Sequence, residues 1–167
     1  MDVFDLKDDP YLKVLRPLVE AYQAIFQVGD RHIRSMGLTP PQFDVIAELG
    51  GTQGMTCVAL AQSTLLAKAS LTGIIDRLVE KELVERRPVP DDRRAMNIRL
   101  TKQGERVYRT SFPTHANLMR PIFERALTKH DVQIMREMLL RLRDSCRNQD
   151  GDGKGALLVS RMGKENK

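Results

Sequence analysis

A chain of 167 residues is long enough to bury a real core and suits one domain, or one with a small appendage. Its 41% hydrophobic and 29% charged residues are ordinary for a soluble globular protein, and no apolar run approaches the roughly 20 residues that span a bilayer, so a membrane partner is excluded. The net charge of +5 is informative because of where it lies: residues 66–109 hold 11 Lys or Arg against 7 Asp or Glu, leaving +4 there, the footprint expected of a DNA-facing surface.

The first residues, MDVFDLKDDP, are acidic and carry no signal-peptide pattern, so cytoplasmic residence is expected. Cys57 and Cys146 are too few and too ill-spaced for a disulfide framework or a zinc site, and reduced thiols are the default. Residues 1–10 read as a flexible arm. From Tyr11 to about Met36 a helical pattern places Leu15, Leu18, Val19, Tyr22, Ile25, Phe26, Ile33 and Met36 among its apolar positions. Pro17 either sits in the first turn of the regular part or kinks it. This helix has more apolar surface than one small domain covers, and dimerisation is the expected use of the remainder.

Gly37 ends that helix, and Thr39 caps the next, with Pro40 at its first position. Phe43, Val45, Ile46 and Leu49 form its buried side. The glycine-rich Gly50–Gly54 loop lacks the Lys-Ser/Thr and the preceding strand of a P-loop. Thr56 is the N-cap of a short helix that places Val58, Leu60 and Ala61 for burial. The following helix carries Leu71, Ile74, Ile75, Leu78 and Val79 at the i, i+3, i+4, i+7, i+8 spacing of one apolar face. Its other face shows Lys68, Ser70, Thr72, Gly73 and Arg77. Short polar and cationic groups on a helix packed by its opposite face suit a DNA major groove.

Residues 84–87 and 97–100 then pair as strands around a long tip, Pro88 to Met96. Prolines at 88 and 90 cannot donate to a ladder and belong at the tip or edge. Such a hairpin is a wing, and its basic tip suits the minor groove. Arg94 is the minor-groove candidate, with Asp92 placed to orient its guanidinium. Arg93 is a phosphate candidate. Arg86 either contacts the DNA backbone or braces the hairpin, and Arg77 either meets phosphate or pairs along its own helix.

After the wing, Thr101 begins a further helix that Pro113 and Pro121 are expected to break or bend. Thr128 opens the last helix, with Asp131 three residues on as a capping-box variant. Met135, Met138, Leu139 and Leu142 repeat at helical spacing there. The tail 148–167 is polar and glycine-rich and is expected to be disordered. Its DGDGKG run is not a calcium loop, because Lys154 and Arg161 stand where carboxylates must bind the metal. His32, His115 and His130 form no metal spacing, and no nucleophile-base motif is present. No metal site, cofactor or enzymatic activity is expected.

These residues together resemble the MarR family of homodimeric bacterial transcription factors. The likeness rests on Leu38-Thr39-Pro40-Pro41-Gln42-Phe43-Asp44-Val45, Leu60-Ala61, Ser70-Leu71-Thr72, Asp76-Arg77-Leu78, Leu83-Val84-Glu85-Arg86, Asp92-Arg93-Arg94 and Leu100-Thr101-Lys102-Gln103-Gly104. Three departures stand: Gly73 where a basic residue is frequent, Leu65 where glycine is frequent in the helix-helix turn, and Glu82 where glycine is usual, the last two expected to affect backbone geometry only mildly. The resemblance implies a mainly α fold with a small β-hairpin wing (α+β), with a winged helix-turn-helix at 37–101 and a helical dimerisation region at 11–36 and 102–147. It further implies a homodimer on a duplex DNA operator that is pseudo-palindromic, with an interface of about 2,000–5,000 Å².

It also implies release by a small aromatic or phenolic effector in a crevice beside the dimer helices. Arg16 and His32 are the candidates to receive its carboxylate or phenol, and Tyr22, Phe26 and Phe43 those to wall it. Two other readings stand beside this one. Cys57, near a helix start, is a candidate redox sensor, although a small buried cysteine is the commoner explanation. A winged-helix interaction module that no longer binds DNA is the other, favoured only by Gly73.

Overall fold

The computed structural model describes residues 8–64, 66–89 and 92–150. The arm at 1–7, the tail from 151, Leu65, and the side chains of Lys68, Asp92, Arg93 and Arg94 lie outside the described residues. The chain divides into two compact units, one up to Met119 and one from Arg120.

In the first unit, helix α1 spans Leu15–Ser35, four residues later than the periodicity suggested. Asp9 is the reason: its carboxylate accepts the backbone N–H groups of Tyr11 and Leu12 at 2.8 and 3.2 Å, holding that stretch in a turn. Pro17 falls in the first turn, where its missing N–H costs nothing. The helix ends in a left-handed turn at Gly37 (φ +76°), with Gly37 and Leu38 donating back to Arg34 and Ile33. Helix α2, Pro40–Leu49, begins as expected: the Gln42 side chain accepts the Thr39 N–H at 3.1 Å.

Strand β1 (Met55–Thr56) leads into α3 (Cys57–Ser63), whose first turn is capped by the Thr56 hydroxyl accepting from Ala59 at 3.2 Å. Helix α4, Lys68–Glu80, is followed by β2 (Val84–Val89) and β3 (Asp92–Leu100). The three strands form one antiparallel sheet in the order β1-β3-β2. Val84 pairs with Leu100 and Arg87 with Asn97, as the hairpin reading required, but the ladder continues through Pro88 opposite Met96 and an irregularity at Val89. The tip is therefore shorter than the expected 88–96. Pro88 is tolerated because β2 is the edge strand. The strand at Met55–Thr56 was not anticipated; it pairs with Ile98 and Asn97.

The core lies where α2, α3, α4 and the sheet converge. Val45, Ile46, Leu49, Leu60, Leu71, Ile75, Leu78, Val84 and Ile98 are essentially inaccessible to solvent. Val58, expected to be buried, is 56% exposed. A seven-residue helix offers the core one narrow face, and Leu60 with the half-buried Cys57 and Ala61 already occupies it.

Helix α5, Lys102–Ala126, starts where the Thr101 hydroxyl accepts the Gly104 N–H at 3.0 Å. It runs unbroken through Pro113 and Pro121, against expectation. Each proline removes a single hydrogen bond within a long helix, and the turns on either side persist. The second unit carries α6, Lys129–Asp150, so the first three residues of the expected tail are helical. The Thr128–Asp131 cap forms in both directions: the carboxylate accepts the Thr128 N–H at 2.9 Å and the Thr128 hydroxyl accepts the Asp131 N–H at 3.2 Å.

Candidate nucleic-acid interface and effector cavity

Helix α4 is held by one face. Leu71, Ile74, Ile75 and Leu78 are buried, and Ser70, Thr72, Gly73 and Arg77 are exposed on the other side. Ala67 stands at the N-cap and offers no side-chain hydrogen bond, and within the first turn Ser70 N–H donates to the Ala67 carbonyl at 2.9 Å. Nothing lies within 4 Å of a Cβ added at Gly73. Among the described residues no carboxylate lies within ion-pair distance of Arg77. The alternative reading, a pair along its own helix, is not seen for Arg77 among the described residues, and the neighbouring Asp76 is engaged by Arg86.

Asp76 pairs with Arg86 on β2 at 2.5 Å, so Arg86 braces the wing against the helix rather than projecting freely. One register step away, Glu85 holds two more arginines, Arg87 at 2.9 Å and Arg99 at 2.5 Å. Arg87 first, and Arg99 with it, keep the Glu85 carboxyl below the usual carboxylate range. Lys81, at the far end of α4, donates to the Gly37 carbonyl at 3.1 Å and reaches the buried Gln42 side chain at 3.4 Å. The C-terminal half of the helix is thus tied twice, to the α1–α2 turn and to the wing. A short helix, a turn, a reading helix with small exposed side chains and an antiparallel wing define a winged helix-turn-helix DNA-binding module.

The comparisons with known proteins agree with that class. The model described as the MarR family matches residues 36–95. The HTH-type transcriptional regulator MhqR of Bacillus subtilis is 31% identical over 131 residues, 78% of this chain and 90% of that protein. A cysteine-to-serine variant of Escherichia coli MarR, complexed with operator DNA, superposes with a TM-score of 0.70 at 23% identity, covering 85% of this chain and 99% of that one. Bordetella bronchiseptica BpsR, whose DNA binding is regulated by 6-hydroxynicotinic acid, superposes with a TM-score of 0.68 at 24% identity, covering 78% and 98%. This chain belongs to the MarR family: it is a transcriptional regulator, not an enzyme.

A second feature lies within the first unit. A cavity of about 570 Å³ opens between α1, α2 and α5. Tyr22, Phe26 and Ile33 line it from α1, Asp44 from α2, and His115 and Met119 from α5. Leu66, two residues before α4, also reaches it. Of the residues expected to make an effector site, Tyr22 and Phe26 are there, their rings stacked at 5.9 Å. His32 and Phe43 stand behind the wall rather than in it. His32 Nδ1 meets His115 Nδ1 at 3.2 Å, and the Phe43 ring packs edge-on to His115 at 4.9 Å.

Arg16 is not part of this cavity. It is 88% exposed and paired with Glu20 one turn along, because the start of α1 lies beyond the packed end of the helix. Asp30, Arg34, Asp44 and His115, with the phenol of Tyr22, supply the ionisable groups that line the cavity. Burial pushes the Asp44 carboxyl up, with Glu48 adding to it, and burial likewise pushes the His115 imidazole down, with His32 adding. Asp44 stands in the Leu38–Val45 stretch that carries the resemblance, but the sequence assigned it no part in this site; for Asp30 and Arg34 only the i, i+4 spacing was open to sequence reasoning. Cys57 is half-buried against the core and Cys146 is exposed. No described helix is long and apolar enough to cross a membrane.

Proposed function

We propose that two copies of this chain bind a pseudo-palindromic operator in duplex DNA as a repressor, and that a small aromatic ligand in the α1–α2–α5 cavity releases them. One observation carries the DNA reading: α4 is buried along one side and leaves Ser70, Thr72, Gly73 and Arg77 exposed along the other. In this reading Ser70, Thr72 and Lys68 contact base edges or phosphates from the first turns. Arg77 and Arg93 meet phosphate, and Arg94, oriented by Asp92, enters the minor groove. Arg86 acts through its pair with Asp76.

The dimer reading rests on apolar surface. Tyr11, Val14, Leu15, Tyr22 and Phe26 are exposed in the first unit, and Val132, Met135, Met138, Leu139 and Leu142 in the second. Those positions fall in the helical regions 11–36 and 102–147, the expected dimerisation elements. A two-fold pair sets its reading helices about one helical turn of DNA apart, roughly 34–36 Å. The effector reading draws on the cavity itself and on BpsR, where a hydroxylated aromatic acid regulates DNA binding. Leu66 supplies the physical route, since it lines the cavity and lies two residues before the reading helix. A ligand shifts the balance only by preferring the arrangement that does not fit the operator.

A gel-shift titration on promoter and random duplexes, repeated across a salt series, tests the reading. Specific binding with a log-log salt slope near about −6 is expected if each protomer neutralises three or four phosphates. Equal affinity for both duplexes, or a sedimentation profile of a stable single subunit, overturns it.

A further inference from the structure

We propose that the cavity between α1, α2 and α5 selects an uncharged aromatic bearing a group that both donates and accepts a hydrogen bond, and discriminates against aromatic carboxylates. The proposal rests on reading that cavity as the effector site. The groups that line it are unbalanced in charge: Asp30 and Asp44 carry two carboxyls, and Arg34 is the single strong cation. That cation is already committed, its Nε lying 2.9 Å from both Asp30 oxygens. Arg16, the cation the sequence offered for a carboxylate, is outside the cavity and paired with Glu20. Asp44 has no hydrogen-bond or ion-pair partner among the described residues and is left facing any occupant.

An entering carboxylate therefore competes with Asp30 for the guanidinium and lies in the field of Asp44, within walls that are largely apolar. A neutral hydroxyl or amide escapes both costs. It also matches the His115 imidazole. The two Nδ1 atoms of His32 and His115 lie 3.2 Å apart, so one donates and the other accepts. The Nε2 edge of His115, which passes Gly29 in the same wall, is then a donor in one tautomer and an acceptor in the other. A hydroxyl or carboxamide satisfies either form. A carboxylate, being acceptor-only, satisfies one.

Matched acid and carboxamide pairs separate charge from shape. We would titrate the full chain calorimetrically with 4-hydroxybenzoate, 4-hydroxyphenylacetate and 6-hydroxynicotinate, each against its carboxamide. In every pair that binds, the carboxamide is expected to bind at least about tenfold tighter, equivalent to about 1.4 kcal/mol. Asp44→Asn is expected to strengthen the acid and bring the ratio towards one; Asp30→Asn, which frees Arg34, moves it the same way and serves if the first variant does not fold. An acid that binds as tightly as its carboxamide, or a ratio that neither variant moves, overturns the proposal while leaving the effector reading intact. Failure of every pair to bind overturns the effector reading and this proposal together.

Discussion

Asp76 on α4 and Arg86 on the first wing strand form an ion pair that joins the two elements proposed to meet DNA. The carboxylate is about half exposed and the guanidinium about a third, so the pair is worth only about 0.2–1 kcal/mol to folding. Its value lies in geometry. A helix in the major groove and a wing beside it must keep one relative position, and this contact is a direct side-chain tie between them.

Asp76→Asn is therefore expected to cost under about 1 kcal/mol in chemical denaturation yet weaken operator binding about tenfold, with the salt slope unchanged. Adding Arg86→Gln to it should cost little more, because both substitutions remove the same contact. An affinity loss matched by the loss of stability would show that the pair merely supports the fold.

Glu82 closes α4 in a left-handed conformation, φ +57°, with Glu82 and Leu83 donating back to Val79 and Leu78. The turn keeps the geometry a glycine would adopt, and a side chain there carries about 1 kcal/mol of backbone strain. Glu82→Gly should relieve it, raising the melting temperature by about 2–4 °C for a chain of this size. An unchanged or lower melting temperature would mean that glycine's greater freedom in the unfolded chain cancels the gain.

Gly104 has the opposite requirement. A Cβ there would overlap the Leu83 carbonyl oxygen, which is backbone and already accepts the Thr101 N–H at 3.1 Å. Gly104→Ala should destabilise by about 2–3 kcal/mol or more, seen as a shifted urea midpoint.

Gly73 sits inside a helix with open space around its Cβ position. Gly73→Ala should stabilise the fold by up to about 1 kcal/mol through helix propensity alone. If the bare backbone there approaches DNA closely, the same variant weakens operator binding; unchanged binding would show that the position faces only solvent.

His115 makes stability depend on pH. Burial, with His32 adding, holds the His115 pKa below its ordinary value of 6.5, so the unfolded chain takes up its proton first. This contribution to stability is level above about pH 6.5 and declines as pH falls from there towards the depressed native value. A series of denaturation curves from pH 7.5 to about pH 5 should show that decline, and His115→Gln should flatten it.

The amino-acid sequence alone determined what is local. Caps at Thr39, Thr56 and Thr128 were legible because donor and acceptor lie three residues apart, and the buried face of α4 because its apolar spacing repeats once per turn. The hairpin register followed in the same way, from two short strands and the prolines between them. Val58 misled because periodicity names a helix face but not how much of that face a short helix can bury. The two prolines of α5 misled because a local penalty was weighed without the long helix that absorbs it.

Tertiary structure decided the rest. It brought His32 against His115 across 83 residues, gave Arg86 to Asp76, left Arg16 at the surface and gathered Asp30, Arg34 and Asp44 around one cavity. Hydrogen bonds within a turn are set by neighbours along the chain, whereas the charge of a cavity is a sum over elements that meet only when the core closes.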